Sequence, residues 1–334
     1  MPKRWEQLQE AVSGAERIQI LLHDDPDPDA LASGAALRFL LQETLGIEGQ
    51  VAYRGVVSRA ENRALVDYLD EPMENLPPHP VRTDRPVALI DTQPGTGNSP
   101  IPADHPACIV IDHHGERELE RVTFADIRPW IGASSTILTQ YLRTAELLPP
   151  TRLATALFYG IKTDTRALSR DTSAADVAAY FYLLPFIDVD AVVEIENAQV
   201  PAVYFHNLSI AMKGARVYDD IIFAYVGKAG YPDLTAEIAD LFLRLEGVEW
   251  VICVGAYDGA MYISLRARND EADAEELAKK MVGDEGSAGG RNTLAGGQVP
   301  LDGRDPGELA ALLEKRALAH LQVPEDVEGE PLVP

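Results

Sequence analysis

Cysteine is scarce in this sequence, which has only two, Cys108 and Cys253, among 334 residues. Neither belongs to a C-x-x-C pair of the kind found in zinc and redox sites, and two isolated cysteines do not make a disulfide framework. Each lies in a short apolar run with β-strand character. We therefore expect two small buried side chains in a protein of the reducing cytoplasm.

Basic residues are also few. The sequence has 29 lysines and arginines and 53 aspartates and glutamates, which give a formal net charge of −24. A protein that holds long DNA or RNA through phosphate contacts needs a basic surface, so this class is disfavoured, although a small basic pocket stays compatible. A membrane role is disfavoured too, because no apolar run approaches the ~20 residues that span a bilayer. The first ten residues, MPKRWEQLQE, lack the apolar segment of a signal peptide.

The length suggests two domains, at about 150 residues each. The first half alternates short apolar runs with stretches of helical periodicity, the pattern of an α/β domain on a mostly parallel sheet. Strands are predicted at 17–23, 49–57, 87–90 and 107–111, and helices at 30–45, 60–69, 133–147, 151–162 and 172–184.

The second half predicts a smaller α/β domain, with a cleft between it and the first. Its predicted elements are a strand at 221–226, a helix at 234–245, a hairpin of 250–256 with 260–266, and helices at 272–281 and 306–321. The predicted boundaries are 1–185 for the first domain, 186–203 for a linker, 204–325 for the second domain and 326–334 for a loose tail.

Histidines and aspartates cluster just after the predicted strands of the first half, at the edge where open α/β sheets bind ligands. They are His23, Asp27, Asp29, Asp91, Asp112, His113 and His114, with Asp164 at the end of a later helix. Any one aspartate is compatible with a helix cap or a turn. Converging carboxylates, however, repel one another without a cation, and carboxylate with imidazole suits Mn²⁺, Fe²⁺ or Co²⁺. A dinuclear site fits the number of ligands, and such sites serve phosphoryl hydrolysis.

Four ordered motifs resemble those of the DHH phosphoesterases: H-x-x-x-D-x-D, a strand-end aspartate, the D-H-H triplet and a later G-I-x-x-D-T. The resemblance covers nearly the whole chain and implies an enzyme with two divalent metal ions, Mn²⁺ first, with Mg²⁺, Co²⁺ or Fe²⁺ as alternatives. It implies that one ion is bound by His23, Asp27 and Asp91, and the other by Asp29, Asp91, His113 and Asp164.

The same resemblance implies catalytic roles for two residues. Asp91 would bridge the ions, and His114 would contact the substrate phosphate or act as an acid, with Asp112 supporting the site. The run from Ser134 to Thr136 matches a family signature at the start of a helix, but a plain N-cap explains it equally well.

The second half resembles the substrate domain associated with this family. The residues that carry this resemblance are Ser264 and Arg266 on a predicted strand and Gly289, Gly290 and Arg291 in a glycine-rich loop at 286–297. Arg266 would clamp a terminal phosphate, although a surface arginine is the alternative. The family loop usually reads G-G-H; an arginine in third place can still bind phosphate, but it does not reproduce the hydrogen bonding of a neutral imidazole.

The predicted function is therefore a Mn²⁺-dependent phosphoesterase that acts on nanoRNA, linear or cyclic dinucleotides, or 3′-phosphoadenosine 5′-phosphate (pAp). Its expected partners are such short, phosphate-rich nucleotides, with no long nucleic acid and no membrane, and a homodimer is possible. One alternative is a pyrophosphatase or exopolyphosphatase, although the basic R-K-K-type motif of family II pyrophosphatases is missing. The other is a sensor that binds a nucleotide without hydrolysing it.

Overall fold

The computed structural model describes residues 1–115, 119–269 and 271–333, and the chain divides into two compact units, Met1–Ala198 and Gln199–Pro334. The division falls inside the segment predicted as a linker. Much of that segment is a helix, Val189–Glu196, whose Val192 and Ile195 belong to the core of the first unit.

The first unit is built on a parallel sheet. Its strands are β1 (Arg17–Leu22), β2 (Glu48–Arg54), β3 (Met73–Leu76), β4 (Val87–Ile90), β5 (Ala107–Asp112) and β6 (Val122–Ile127). Its helices are α1 (Pro2–Ala11), α2 (Pro28–Leu45), α3 (Ala60–Leu69), α4 (Ser134–Thr144), α5 (Thr151–Asp164), α6 (Ala174–Leu183) and α7 (Val189–Glu196), with a 3-10 turn at Leu184–Phe186.

The strands lie side by side in the order β3-β2-β1-β4-β5-β6. Successive strands are added outward on one side of β1 and then, from β4 onward, on its other side, so the strand order reverses between β1 and β4. The central strands β1 and β4 are mostly apolar, and their side chains are buried on both faces of the sheet. The short apolar runs in the sequence predicted this burial. On one face Ile20 and Leu22 pack in the core with α2, α4 and α5, and on the other Leu21 joins a smaller cluster.

Helix α2 follows β1 directly and carries part of the candidate site in its first turn. Asp27 caps its N-terminus by accepting a hydrogen bond from the Ala30 N–H at 3.0 Å, and Pro28 occupies the first helical position, where its missing N–H costs nothing. The helix ends at Gly46, whose φ of +67° is left-handed.

The second unit contains a mixed sheet with helices on both faces. Its strands are β7 (Arg216–Tyr218), β8 (Ile221–Lys228), β9 (Trp250–Tyr257), β10 (Ala260–Ala267), β11 (Ser287–Arg291), β12 (Leu294–Pro300) and β13 (Glu330–Pro331), and its helices are α8 (Ala202–Gly214), α9 (Leu234–Phe242), α10 (Ala274–Val282) and α11 (Pro306–His320). The order is β11-β12-β10-β9-β8-β7-β13, with β8 and β9 parallel and the other pairs antiparallel. The predicted fold class, α/β with a second smaller α/β domain, is confirmed.

Two expectations for the second half differ from the structure. The glycine-rich stretch predicted as a loop is the hairpin β11–β12, in which Gly290 faces Ala295. A Cβ at Gly290 would lie 2.4 Å from the Leu294 carbonyl oxygen, so this glycine permits a close approach of two strands. In the tail expected to be loose, Glu330 and Pro331 pair with β7; Pro334 lies outside the described residues.

The structure bears on two absences noted in the sequence, the scarcity of cysteine and the lack of long apolar runs. Both cysteines are free, Cys253 is buried in β9, and its burial raises the pKa of the thiol. Within the described ranges, no helix has both the length and the apolar character needed to cross a bilayer.

Candidate metal centre

The residues predicted as metal ligands meet at the carboxyl ends of the central strands, where the sheet order reverses. The loop after β1 brings His23, Asp27 and Asp29, and the loop after β4 brings Asp91, whose φ of +60° is left-handed. The turn after β5 adds His113. Asp164 reaches the same edge as the last residue of α5.

Among the residues that the structure describes, three groups of side chains lie close enough for each to hold a metal ion. In each group the potential ligand atoms lie within 4.8 Å of one another: His23, Asp27 and Asp91; Asp29, His113 and Asp164; and Asp91, His113 and His114. Asp91 belongs to two groups, so its carboxylate lies between the other members. His113 belongs to two groups as well, and the group of Asp29, His113 and Asp164 does not include Asp91, which approaches that group through His113 Nε2 at 3.4 Å.

Backbone carbonyls fix the tautomers of both candidate histidine ligands. His23 Nδ1 donates to the Asp24 carbonyl at 2.7 Å, and His113 Nδ1 donates to the Ile131 carbonyl at 3.1 Å. The Nε2 atoms then face carboxylates: His23 Nε2 lies 3.6 Å from Asp91 Oδ2, and His113 Nε2 lies 3.3 Å from Asp164 Oδ2. Holding Nδ1 in this way and presenting Nε2 is the usual orientation of a metal-binding histidine.

His113 Nε2 provides the test of whether a cation fits this place. The atom is buried and has no hydrogen-bond partner among the described residues, although two carboxylates lie within 3.4 Å of it. A buried polar atom without a partner is costly. A divalent cation among these oxygen and nitrogen atoms would satisfy it, so the donor set fits Mn²⁺ or a similar ion.

The N-terminus of α4 holds two of the carboxylates. The N–H groups of Ser134 and Ser135 donate to the two oxygens of Asp29 at 2.6 and 2.8 Å, and Ser134 Oγ donates to Asp91 Oδ1 at 2.8 Å. Ala133 is the N-cap and makes no side-chain capping hydrogen bond, so the interpretation of the run from Ser134 to Thr136 as a plain N-cap is wrong. The positive end of the helix dipole instead lies against the acidic cluster and offsets part of its repulsion.

The carboxylates raise the pKa of both histidines, and burial and neighbouring carboxylates raise the pKa of Asp29 and Asp164, whereas burial would raise the pKa of Asp27 but His23 lowers it. Burial alone would lower the pKa of His23, but the hydrogen bond and charge of Asp27, together with Asp91, raise it to about 10. Burial acts in the same direction on His113, yet Asp164 and Asp91 raise its pKa to about 10 as well. Burial and the charges of Asp91 and Asp164 raise the pKa of Asp29 well above its usual value. The cluster therefore takes up positive charge, as protons or as a cation.

A pH dependence follows for the protein stripped of divalent cations. Because the folded-state pKa of His23 and of His113 lies above the ordinary 6.5, the stability they contribute is present below about pH 6.5 and lost as the pH rises toward 10. The raised pKa of Asp29 acts in the same direction. We expect the melting temperature in EDTA to fall over this range and to fall much less with Mn²⁺. Parallel curves with and without Mn²⁺ would contradict the assignment.

His114 lies beside the buried groups and is half exposed. Its Nδ1 donates to Asp112 Oδ1 at 2.8 Å and lies 3.9 Å from Asp91 Oδ1. Burial would raise the pKa of Asp112, but hydrogen bonds from His114 and Gln93 and the charge of His114 hold it at about 2. An ionised Asp112 thus orients the imidazole, as the resemblance implied for a supporting residue.

Gln93 is a contributor that the sequence did not reveal. Its Nε2 donates to Asp112 Oδ2 at 2.6 Å and to the Gly115 carbonyl at 3.0 Å, which ties the loop after β4 to the D-H-H turn. Gln93 follows Asp91 by two residues, so the sequence did place it at the same strand end as a candidate ligand.

The predicted substrate residues lie in the second unit, on neighbouring strands. The register puts Ser264 opposite Gly296 and Gly296 opposite Gly289, so these three share one row of the sheet. Arg266, Leu294 and Arg291 form another row two residues along, so their side chains are on the same face of the sheet as that of Ser264. Gly289, Gly290 and Arg291 are all exposed, and Gly290 lies in the row between the other two, opposite Ala295.

Arg266 is not an exposed cation. Its side chain is only 5% exposed, its Nε donates to Asp240 Oδ1 at 2.6 Å, and its Nη1 donates to the Leu265 carbonyl at 2.9 Å. Ser264 Oγ likewise lies 2.9 Å from Thr235 Oγ1 of α9. These polar groups are held by α9, and their contact with a phosphate stays a prediction.

Comparison with known sequences gives one informative relative. No protein-family model matches the chain. The uncharacterized protein MJ1633 of Methanocaldococcus jannaschii is 34% identical over 306 residues, which make up 91% of this chain and 61% of the relative. This chain thus spans less than two thirds of the length of that protein.

Solved structures show the fold. An exopolyphosphatase-related protein from Bacteroides fragilis matches with a TM-score of 0.72 at 15% identity, over 97% of this chain and 98% of that one. RecJ from Thermus thermophilus, in complex with Mg²⁺, matches with a TM-score of 0.51 at 16% identity, over 98% of this chain and 53% of its own. The chain therefore shares the fold of these two proteins.

Proposed function

We propose that the chain is a metal-dependent phosphoesterase that hydrolyses short oligonucleotides, linear dinucleotides or pAp. The observation that carries the proposal is the convergence of six carboxylate and imidazole side chains at the reversal point of a parallel sheet, with Asp91 shared between groups. The metal ligands would be the six residues His23, Asp27, Asp29, Asp91, His113 and Asp164.

The chain's own residues prepare this site for phosphoryl transfer. Two divalent cations, with Mn²⁺ the favoured ion, would lower the pKa of a bound water and neutralise charge on the phosphoryl group. The α4 N-terminus holds Asp29 and Asp91 in place, and backbone carbonyls orient the two histidines. The imidazolium form of His114, with Nδ1–H held by Asp112, would present Nε2–H to a phosphate or leaving-group oxygen.

The charge distribution supports a small substrate. At −24 the chain has no electrostatic means of holding a long strand, so affinity must come from the cations and a few local groups. In the second unit, the exposed Gly289, Gly290 and Arg291 of β11 are the groups we propose for phosphate or base contact, with Ser264 and Arg266 on β10, two strands along the sheet.

A substrate panel tests this proposal. Protein loaded with Mn²⁺ is expected to hydrolyse at least one of pAp, di- to pentanucleotides or cyclic di-AMP, and to leave long single strands intact. The same protein in EDTA is the control and should be inactive. No turnover of any short substrate with Mn²⁺, Mg²⁺ or Co²⁺ would contradict the proposal and favour a binding role without hydrolysis.

A second candidate, hydrolysis of pyrophosphate or polyphosphate, is favoured by one observation. Arg266 is buried and paired with Asp240, and a substrate without a base would need less from the second unit. The likeness to an exopolyphosphatase-related protein adds to this candidate. It becomes the better proposal if kcat/KM on pyrophosphate or polyphosphate exceeds that on every nucleotide in the panel.

A further inference from the structure

Asp176, in the first turn of α6, is a fully buried carboxylate that four donors satisfy. Its Oδ2 accepts hydrogen bonds from the Ser173 N–H at 2.7 Å, from Ser173 Oγ at 2.6 Å and from the Gly132 N–H at 2.9 Å. Its Oδ1 accepts one from Thr136 Oγ1 at 2.6 Å. The contacts to Ser173 form a capping box that stabilises the start of α6.

The other two contacts reach a different part of the chain. Gly132 and Thr136 flank the α4 N-terminus, whose Ser134 and Ser135 donate to Asp29 and Asp91. Asp176 therefore binds the segment from Gly132 to Thr136, and the same segment binds the candidate metal ligands Asp29 and Asp91.

The packing around Gly132 indicates that this segment is held tightly. A Cβ at Gly132 would lie 2.6 Å from Thr165 Cγ2, 2.7 Å from the Asp171 carbonyl oxygen and 3.3 Å from Asp176 Oδ2. Thr165 follows Asp164 directly, so the same contacts join the α4 N-terminus to the ligand at the end of α5.

A capping box alone does not account for these contacts. Its reciprocal bonds involve only Ser173 and Asp176, from the Ser173 N–H to the Asp176 carboxylate and from the Asp176 N–H to Ser173 Oγ, and the second residue of such a box is usually glutamate or glutamine. Burying an ionised carboxylate is costly unless its lone pairs are satisfied, and here the additional donors come from the segment that holds the metal-site carboxylates.

We propose that Asp176 is a positioning residue for the metal centre: it fixes the α4 N-terminus so that Asp29 and Asp91 are held at the spacing that two cations need. This inference rests on the proposed function. The role differs from stability of α6, because it acts on metal binding through Gly132 and Thr136.

The variant Asp176→Asn tests the role. It keeps the size of the side chain, but it replaces an acceptor oxygen by an NH₂ donor that faces existing donors. We expect the dissociation constant for Mn²⁺, measured by calorimetric titration, to rise about 10- to 100-fold, as for other supporting residues of metal sites. The electron paramagnetic resonance signal of an exchange-coupled Mn²⁺ pair should give way to that of isolated Mn²⁺, and kcat at saturating Mn²⁺ should fall more than KM rises.

Two controls and a second pair of test variants separate positioning from helix stability. Asp188 caps α7 by accepting from the Ala191 N–H at 3.0 Å, so Asp188→Asn makes the same change in a neighbouring cap. Ser173→Ala removes the capping hydroxyl and leaves Gly132 and Thr136 bound to Asp176. Ser173→Ala should lower the melting temperature, Asp188→Asn should change it little because asparagine caps a helix as well as aspartate does, and both should leave the Mn²⁺ affinity nearly unchanged. Thr136→Val breaks one link with the charge intact and should weaken Mn²⁺ binding, whereas Thr136→Ser should restore it.

The outcomes distinguish this inference from the function on which it rests. If wild-type protein binds two Mn²⁺ and hydrolyses a substrate, but Asp176→Asn and Thr136→Val bind Mn²⁺ as tightly, the positioning role is wrong and the proposed function stands. If Asp176→Asn does not fold, Thr136→Val and Thr136→Ser decide the matter alone. A wild type that binds no Mn²⁺ overturns both.

Discussion

Replacing Asp91 by alanine is expected to lower kcat by about 10³-fold or more, because a shared ligand supports both cations and their contribution amounts to several kcal/mol. The carboxylate lies between His23 Nε2 at 3.6 Å and His113 Nε2 at 3.4 Å, so its loss removes a member from two of the three candidate groups. Metal content after dialysis should fall below two ions per chain. Initial rates and metal analysis on the same preparation measure both effects.

The fold should survive this substitution. Ser134 Oγ loses its acceptor, which costs about 1–3 kcal/mol for a buried group, but the removal of one carboxylate also relieves repulsion on Asp29. Asp104→Ala is a matched control, because that aspartate is exposed and pairs with Arg82 on the surface. Wild-type activity in Asp91→Ala, or an equal loss in Asp104→Ala, would place the chemistry elsewhere.

The metal-site residues were predictable from the sequence because their placement follows from local rules. Asp91 and His113 each follow a short apolar run, and the carboxyl ends of buried parallel strands share one edge of a sheet. The strand ends were therefore enough to bring distant positions together. Whether those residues bind metal stays a prediction that the experiments above decide.

The supporting contacts were not predictable, since they depend on how crossover connections pack. Ser134 donates to Asp91 across 43 positions, and Asp176 accepts from Gly132 across 44. The sequence around Ser134 and around Asp176 indicates the start of a helix and does not indicate either contact. Arg266 shows the same limit: its strand was predicted, but its partner Asp240 lies on a helix that covers that strand, and only the packed structure reveals the pair.

Glycine was the least informative residue type. The stretch at 286–297 has the composition of a flexible loop, yet it forms an edge hairpin in which Gly290 packs against Ala295. A glycine required for close strand approach and one in a mobile loop look the same in a sequence. The assignment of these glycines to substrate binding therefore rests on the resemblance alone.

Adding Mn²⁺ should raise the melting temperature strongly, because the acidic cluster destabilises the first unit when its charge is not balanced. Saturation at about 100 times the dissociation constant contributes about 2.7 kcal/mol for each site. A unit of this size gains about 2–4 °C per kcal/mol, so two occupied sites correspond to roughly 10 °C or more. Differential scanning calorimetry with and without EDTA measures the shift.

The metal-site variants show whether this stabilisation belongs to the proposed centre. Asp91→Ala should lose most of the Mn²⁺-dependent shift, since it removes a member of two groups, while its melting temperature in EDTA should stay near that of the wild type. Asp104→Ala should keep the full shift. If Mn²⁺ raised the melting temperatures of all three proteins equally, the ions would be binding elsewhere on an acidic surface of net charge −24. A loss confined to Asp91→Ala instead ties binding to the carboxyl ends of β1 and β4, where the proposed chemistry requires it.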